Sequence, residues 1–136
     1  MGFFMASAIR YHEGDISAAD PARYTGAIAI DTETPGLIPR RDRLCVVQLS
    51  PGDGTADVIR IAAGQKLAPN PVAMLEDPAR QKIFHYGRFD IAVLFHTFGV
   101  TTAPGFCTKI ASRLTRTYTG RHGLKEKLKE MLDVDI

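Results

Sequence analysis

Three short apolar runs in the first half of the chain have the length of single β-strands. They cover Ala27–Asp31, Leu44–Ser50 and Ala56–Ile61. Residues 51–54, with the sequence Pro-Gly-Asp-Gly, separate the second run from the third and have strong turn chemistry. The pattern therefore predicts a three-stranded meander.

The second half of the chain alternates strand and helix patterns. Lys82–His85 predicts a buried strand, and from Arg88 onward apolar residues recur at helical spacing until Gly99 provides a stop signal. The residues that carry the helical spacing are Ile91, Leu94, Phe95 and Phe98. We expect a buried strand followed by a helix.

Weaker patterns flank this pair of elements. Three prolines interrupt the region around residues 70–78, yet Val72 and Leu75 are compatible with a short helix there. Gly105–Cys107 predicts a short extended piece, and Ile110–Leu114 continues a helical pattern. A final helix is marked by Leu124, Leu128, Met131 and Leu132.

A meander followed by alternating strands and helices is typical of an α/β fold in which helices pack on a mixed β-sheet. A chain of 136 residues is long enough for one compact domain with a core and too short for two. We therefore treat residues 1–136 as a single domain. Its helical layer is still unfinished where the sequence stops, so we expect the fold to be incomplete at the C-terminus.

Charge and cysteine content narrow the functional classes. The formal net charge is only +2, so no global field attracts polyanions, and any nucleic-acid binding must be local. Cys45 and Cys107 have neither a CxxC partner nor a histidine at zinc-ligand spacing, which favours buried free thiols and a reducing cytoplasm. Met1–Ala8 lacks a basic leader, and we expect neither a secretory signal nor a membrane span there.

Two acidic residues follow the first apolar run. Asp31 and Glu33 are two positions apart, so in an extended chain their side chains point to the same face. Paired carboxylates are hard oxygen ligands that suit Mg²⁺ or Mn²⁺. The alternative is an ordinary solvated strand end, because the D-x-E pattern is common.

A third acid, Asp90, follows the Lys82–His85 strand through a glycine and falls in the first turn of the next helix. The helix dipole favours an ionised carboxylate there, although an ordinary N-terminal helix acid is the alternative. If the two strands pair, Asp90 meets Asp31 and Glu33 at one edge of the sheet. Three carboxylates in that arrangement suit a two-metal site for phosphodiester cleavage.

Two segments resemble known nuclease motifs. A-I-D-T-E-T-P-G-L resembles the first exonuclease motif of the DEDD superfamily, and H-Y-G-R-F-D resembles the second. The segments R-D-R-L-C-V-V-Q-L-S-P-G-D-G and C-T-K-I-A-S-R-L-T-R-T-Y-T-G-R-H-G-L-K resemble ribonuclease D proteins, and among these the nano-RNase C group of small stand-alone nucleases that degrade very short RNAs. The similarity runs from about Ile9 to the last residue.

The resemblance implies a ribonuclease H-like fold in which Asp31, Glu33 and Asp90 are three of four metal-binding acids. The third motif of the family, a tyrosine followed four positions later by aspartate, is absent downstream of Asp90, because Tyr118 is followed at that spacing by His122. We therefore expect the chain to lack its last catalytic segment. The resemblance also implies a short single-stranded RNA or oligoribonucleotide as substrate and a ring-like homo-oligomer.

Further residues are candidates for substrate binding near the acids. Leu37 can wedge against a terminal base, or it is an ordinary packing leucine. His85 occupies a place where many relatives carry asparagine, and the alternative is a satisfied core histidine. Arg88 lies beside Asp90 in sequence, where it can contact phosphate or neutralise the acids.

The C-terminal third is locally basic. Arginine and lysine engage phosphates without reading sequence, as a non-specific exonuclease requires. The alternative is a solvated helix face. The residues that we expect to contact phosphate are Arg113, Arg116, Arg121 and His122.

These observations favour a metal-dependent 3′-5′ exoribonuclease that uses Mg²⁺ or Mn²⁺ and does not bind a membrane. A haloacid-dehalogenase-like phosphatase is a rival, but it requires aspartate where this sequence has Glu33, and the sequence carries no glycine-rich phosphate loop. The rival from another class is a non-catalytic nucleic-acid-binding or assembly module that keeps the fold without the fourth acid.

Overall fold

The computed structural model of the protein describes residues 8–136. The expectation for Met1–Ala8 therefore falls almost entirely outside the described residues. Between residues 8 and 136, none of the helices is both long and apolar enough to cross a lipid bilayer.

A mixed six-stranded β-sheet organises residues 8–136. Its strands are β1 (Ala8–Glu13), β2 (Ile28–Glu33), β3 (Val46–Ser50), β4 (Thr55–Arg60), β5 (Lys82–Phe84) and β6 (Gly105–Cys107). Their order across the sheet is β1-β4-β3-β2-β5-β6. Strands β2, β3 and β4 pair antiparallel, which confirms the predicted meander, and β1, β5 and β6 join the sheet through parallel pairs.

The pairing of β2 with β5 determines where the acidic residues lie. The two strands are parallel, with Ile28 opposite Lys82 and Ala29 opposite Ile83. Because parallel neighbours run in the same direction, the chain that leaves β5 passes beside the C-terminal half of β2. Strand β2 extends to Glu33, beyond its predicted end, so Asp31 lies within the strand.

Strand β1 has no apolar pattern that predicts it. Its large apolar side chains, Ile9 and Tyr11, are exposed, whereas Arg10 and His12 turn inward to Asp57 of β4. The usual alternation of buried apolar and exposed polar residues is thus inverted in this edge strand.

Asp57 is the centre of a buried polar cluster. Arg23 Nη2 lies 2.7 and 2.6 Å from its two carboxylate oxygens, and the Tyr24 hydroxyl donates to Oδ2 at 2.5 Å. His12 Nε2 and Arg10 Nε lie 2.7 and 3.1 Å from Oδ1. Burial alone raises the pKa of Asp57, but these hydrogen bonds outweigh it and hold the pKa far below its ordinary value. The cluster therefore ties β1 and the 3₁₀ turn Asp20–Arg23 to the sheet.

Four α-helices are found in residues 8–136: α1 (Pro69–Glu76), α2 (Gly87–Phe98), α3 (Thr108–Thr115) and α4 (Leu124–Leu132). Helix α2 ends at Gly99 as predicted, where a left-handed glycine with φ of 70° donates its N–H to the carbonyl of Phe95. The core cluster contains Ile28, Ile30, Val47, Leu49, Ile59, Met74, Leu75, Val93 and Leu94, from β2, β3, β4, α1 and α2.

The C-terminal helices are packed much less. Helix α4 buries no residue, and apolar side chains of α3 and α4 remain exposed, among them Ile110, Leu114, Met131 and Leu132. The two cysteines, Cys45 and Cys107, are free as predicted, but they are half-buried and not fully buried.

Gly87 is required where β5 turns into α2. A Cβ atom added to Gly87 would lie 2.8 Å from Cβ and 3.0 Å from Cγ of Phe84, which is a buried core residue. We expect Gly87→Ala to destabilise the fold by roughly 1–3 kcal/mol, because overpacking a core contact displaces side chains or backbone. Urea denaturation measures this change.

Gly26→Ala is the matched control for that substitution. A Cβ atom at Gly26 meets nothing within 4 Å, so its effect should stay within about 0.5 kcal/mol. Equal midpoints for the Gly87 variant and the wild type would show that the approach of Gly87 to Phe84 is not close enough to matter.

Candidate metal centre

Asp31 and Glu33 project from the same face of β2. The burial of this strand alternates strictly, with Ile28, Ile30 and Thr32 buried and the residues between them exposed. The buried face packs in the core, so the two carboxylates stand on the open face of the sheet. The predicted side-by-side placement of the two acids is therefore present.

Asp90 reaches β2 from the first turn of α2. Its Oδ1 atom accepts hydrogen bonds from the Thr32 hydroxyl at 2.5 Å and from the Thr32 backbone N–H at 3.2 Å. Strand β5 pairs with β2 only as far as Ala29, so Asp90 provides an acceptor where no strand partner remains. Asp90 Oδ2 makes no hydrogen bond within residues 8–136. Thr32, between the two exposed acids, thus fixes the third.

The electrostatics of the site show an excess of negative charge. Burial raises the pKa of Asp90 to about 6, and the charge of Asp31 contributes to this increase. The hydrogen bonds from Thr32 act in the opposite direction and lower the pKa. Within the described part of the chain, none of the salt bridges includes Asp31, Glu33 or Asp90.

Asp31 is close enough to Asp90 for its charge to raise the pKa of that carboxyl, but the three acids do not form a ready-made cage. Across residues 8–136, no three Asp, Glu, His or Cys side chains are grouped closely enough to hold a metal ion as they stand. The donor chemistry nevertheless fits a hard divalent cation, because the available atoms are carboxylate oxygens and their charge is uncompensated. Asp31, Glu33 and the unbonded oxygen of Asp90 are the groups that would hold it.

A cavity of about 430 Å³ opens beside Asp31 on the same face of the sheet. Residues that line it include Asp31, Gln48, Ser50, Ile83, His85, Thr108 and Leu124. His85 is half-buried in this wall, with Nδ1 2.9 Å from the Thr108 hydroxyl oxygen. Burial and the charges of Lys127 and Lys109 lower the pKa of His85, and Asp31 opposes them. His85 therefore faces a cavity next to the acids and is not a core histidine.

Leu37 lies in the loop that follows β2, and it is 81% exposed. Leu37 therefore does not pack into the core that residues 8–136 form. The loop is braced by Asp42, whose carboxylate accepts the Ile38 backbone N–H at 2.9 Å and pairs with Arg41. A braced loop holds an exposed apolar side chain near the end of β2.

The basic candidates divide into two groups. Arg88, Arg113 and Arg121 are exposed, and within the described residues their side chains form no salt bridge. His122 is half-buried, with Nδ1 2.9 Å from the Ser112 hydroxyl. The exposed arginines keep their charges available to an anion.

Arg116 does not fit the expected phosphate contact. It is only 7% exposed, and its guanidinium donates to the Ser112 hydroxyl and the Arg121 carbonyl, both at 2.8 Å, and pairs with Glu130. This side chain holds α3, the connection after it and α4 together. The prediction fails because local basicity in a sequence does not reveal that Glu130, on another helix, neutralises the arginine.

Thr32 is the residue of the site that the sequence pattern did not single out. The only signal for it was its position between Asp31 and Glu33, which places its side chain on the inner face of the strand.

Comparison with known proteins gives a family match over most of the chain. The profile of a family described as 3′-5′ exonuclease matches residues 16–136. Ribonuclease D of Gluconacetobacter diazotrophicus is 36% identical over 85 residues, which make up 62% of this chain and 21% of that protein.

Solved structures are similar over nearly the whole chain. A nuclease in its apo form has 85% sequence identity and a TM-score of 0.94, and the match covers 96% of this chain and 63% of that one. Brucella melitensis NrnC with bound Mg²⁺ has 65% identity and a TM-score of 0.91, covering 95% of this chain and 64% of that one. NrnC has also been solved bound to pGG.

The chain spans less than two thirds of the length of these solved relatives. Its mixed sheet with flanking helices has the ribonuclease H-like exonuclease architecture of the NrnC structures. Since the family profile extends over most of the sequence and includes all three acids, the chain belongs to the 3′-5′ exonuclease family.

Proposed function

We propose that the chain is the metal-binding part of a 3′-5′ exoribonuclease that hydrolyses phosphodiester bonds of short oligoribonucleotides with Mg²⁺ or Mn²⁺. The observation that carries the proposal is that Asp90 is hydrogen-bonded to Thr32, the residue between Asp31 and Glu33, while none of the three acids forms a salt bridge within residues 8–136. The Mg²⁺ and pGG in the NrnC structures support the choice of cation and substrate class.

Each residue has a separate role in this proposal. Asp31, Glu33 and Asp90 hold the cations, and Thr32 keeps Asp90 oriented through its hydroxyl and backbone N–H. When bound, two divalent ions activate water and stabilise the leaving oxygen of the phosphodiester. Leu37 packs against a terminal base, His85 faces the RNA end from the cavity wall, and the exposed Arg88, Arg113 and Arg121 attract phosphates.

The alternative function is a non-catalytic RNA-binding or assembly module. Residues 91–136 contain no tyrosine followed four positions later by aspartate. The proposed exonuclease uses such a pair for its fourth acid and for the orientation of the attacking water. A chain that binds RNA and divalent cations without any 3′ trimming would be this module.

We also infer a homo-oligomer as the assembled form. The exposed apolar side chains of α3 and α4 support this inference, because burial of apolar side chains favours association. Light scattering coupled to size-exclusion chromatography measures the mass in solution. A monomer across the micromolar range contradicts the inference.

Mn²⁺ is expected to raise the thermal midpoint of the metal-free chain at neutral pH. A ligand that binds only the native state stabilises it, by about 2.7 kcal/mol at a free concentration one hundred times Kd. Asp31→Asn and Asp90→Asn should each remove most of this rise, because they neutralise a ligand with little change in side-chain volume. Differential scanning fluorimetry with and without Mn²⁺ measures the effect.

Asp53→Asn is the matched control, because Asp53 is an exposed aspartate in the β3–β4 turn, at the opposite end of the meander from Glu33. Its response to Mn²⁺ should equal that of the wild type. If Asp31→Asn and Asp90→Asn respond as strongly as the control, the three acids are not the metal site.

The pKa of Asp90 adds a check on folding. In the folded chain it is about 6, above the ordinary 3.8, so the ionised carboxylate makes the metal-free native state less stable as pH rises from about 4 to 6. Metal-free Asp90→Asn should lack this loss and be at least as stable as the wild type at neutral pH. Its missing response to Mn²⁺ would then not be a folding defect.

A further inference from the structure

Tyr86 has a backbone conformation that aromatic residues rarely adopt. Its φ of 71° and ψ of 51° lie in the left-handed region, which glycine occupies without strain and a bulky side chain does not. Strained residues of this kind persist where the surrounding structure holds them, and they are concentrated at functional sites. Glycine would suit the turn from β5 into α2 better, so the turn itself does not account for a tyrosine.

The Tyr86 ring does not contribute to the core either. The residue is 52% exposed, and Lys109 Nζ lies 4.7 Å from the centroid of its ring. This cation–π contact supports the ring from one side. About half of the residue is open to solvent.

Tyr86 and Lys109 adjoin the wall of the cavity beside Asp31 in sequence, and Lys109 is close enough to His85 for its charge to lower the pKa of that histidine. Each follows a residue of the cavity wall, His85 in one case and Thr108 in the other. The side chains of these two wall residues are in contact, with 2.9 Å between His85 Nδ1 and Thr108 Oγ1, and the Thr108 hydroxyl also donates to the Phe84 carbonyl at 3.1 Å. The part of the wall that adjoins Tyr86 and Lys109 is therefore fixed to the C-terminal end of β5.

We propose that Tyr86 stacks against a nucleobase of the RNA end held beside Asp31, and that Lys109 contacts the phosphate next to that base. A flat aromatic ring beside a cation is the combination by which proteins hold single-stranded RNA without reading its sequence. This inference rests on the proposed function and adds a base-positioning residue to it. Tyr86 acts on the orientation of the substrate and not on the metal.

The test measures binding, so it does not depend on turnover. The probe is a 5′-fluorescein-labelled oligoribonucleotide in Ca²⁺, followed by fluorescence anisotropy, beside a second probe whose 3′-terminal nucleotide is abasic. Tyr86→Gly should weaken binding of the intact probe about tenfold, the typical cost of one lost base–aromatic stack. It should bind the abasic probe nearly as well as the wild type does. Tyr86→Phe should bind as the wild type does.

Two controls separate stacking from a structural role. Tyr86→Gly should keep or raise the thermal midpoint, because glycine removes the strain, whereas a ring needed for folding would lower it. Tyr11→Ala removes a tyrosine that is 78% exposed on the opposite edge strand, and it should leave both affinities unchanged. Lys109→Met should weaken binding of both probes equally.

The outcomes distinguish this inference from the function on which it rests. Wild-type affinity in Tyr86→Gly, or an equal loss for intact and abasic probes, overturns the stacking role alone. If the wild-type chain binds neither Mn²⁺ nor the intact probe, the proposed function fails and the inference fails with it.

Discussion

The 136-residue chain is expected to trim oligoribonucleotides from the 3′ end at least about 100-fold more slowly than Brucella melitensis NrnC at equal concentration, since one well-placed catalytic contact is typically worth that factor. The chain has no tyrosine-aspartate pair at the required spacing downstream of Asp90. Both absent groups would act on the transition state, so their loss need not weaken substrate binding.

The measurement uses a 5′-labelled oligoribonucleotide and saturating Mn²⁺, with products separated on a sequencing gel. Retention of the 5′ label on a ladder of shortened products identifies 3′ trimming. Asp31→Asn run in parallel gives the background of contaminating nuclease. Comparable rates for the 136-residue chain and NrnC would show that the three acids suffice for catalysis.

Asp57→Asn is expected to destabilise the fold by about 3–5 kcal/mol, the usual cost of breaking a buried ion pair by removing one partner. The substitution leaves Arg10 and Arg23, whose side chains are 33% and 32% exposed, beside a neutral amide that is itself fully buried. A typical domain has only about 5–15 kcal/mol of stability, so a large part would be lost. Urea denaturation gives the value.

Glu13→Gln is the control for Asp57→Asn. Glu13 pairs with Arg60 while both side chains are largely exposed, so the change should cost no more than about 1 kcal/mol. Similar losses in both variants would mean that the Asp57 cluster is no stronger than a surface ion pair.

The pH dependence of the Asp57 contribution has a definite sign. The pKa of Asp57 is held far below its unfolded value of 3.8, so its stabilising effect is complete above about pH 4 and is lost as pH falls further. The wild type should therefore lose stability more steeply than Asp57→Asn below about pH 4. Parallel acid profiles would contradict the role assigned to this carboxylate.

Much of the fold follows from the apolar pattern. The runs that became β2, β3 and β4 were evident because each buries alternate residues in one core, and the glycine that ends α2 was visible at position 99. Strand β1 was not evident, because its inward side chains are Arg10 and His12, whose partner Asp57 is distant in sequence. A strand that packs through charges carries no hydrophobic signal.

Like the fold, the candidate site could be predicted in part from the sequence. The spacing of Asp31 and Glu33 places both on one face of β2, and Asp90 is bonded to Thr32 between them. That the three acids form one metal site stays a prediction. The bond from Thr32 to Asp90 and the burial of Arg116 depend on contacts between distant segments. The left-handed backbone conformation of Tyr86 could not be predicted from the sequence, because glycine is the residue type that indicates such a conformation.

Buried and exposed residues alternate along β2, so the register of this strand decides whether the proposed metal site can form. Asp31, Thr32 and Glu33 are consecutive, so a slip of one position between β2 and β3 would drive both carboxylates into the core and turn Thr32 outward. Such a misfolded species would bury two uncompensated charges and would also have no acceptor site for a cation. A divalent cation present during refolding would bind only chains with the correct register. It would therefore stabilise the native pairing of β2 with β3.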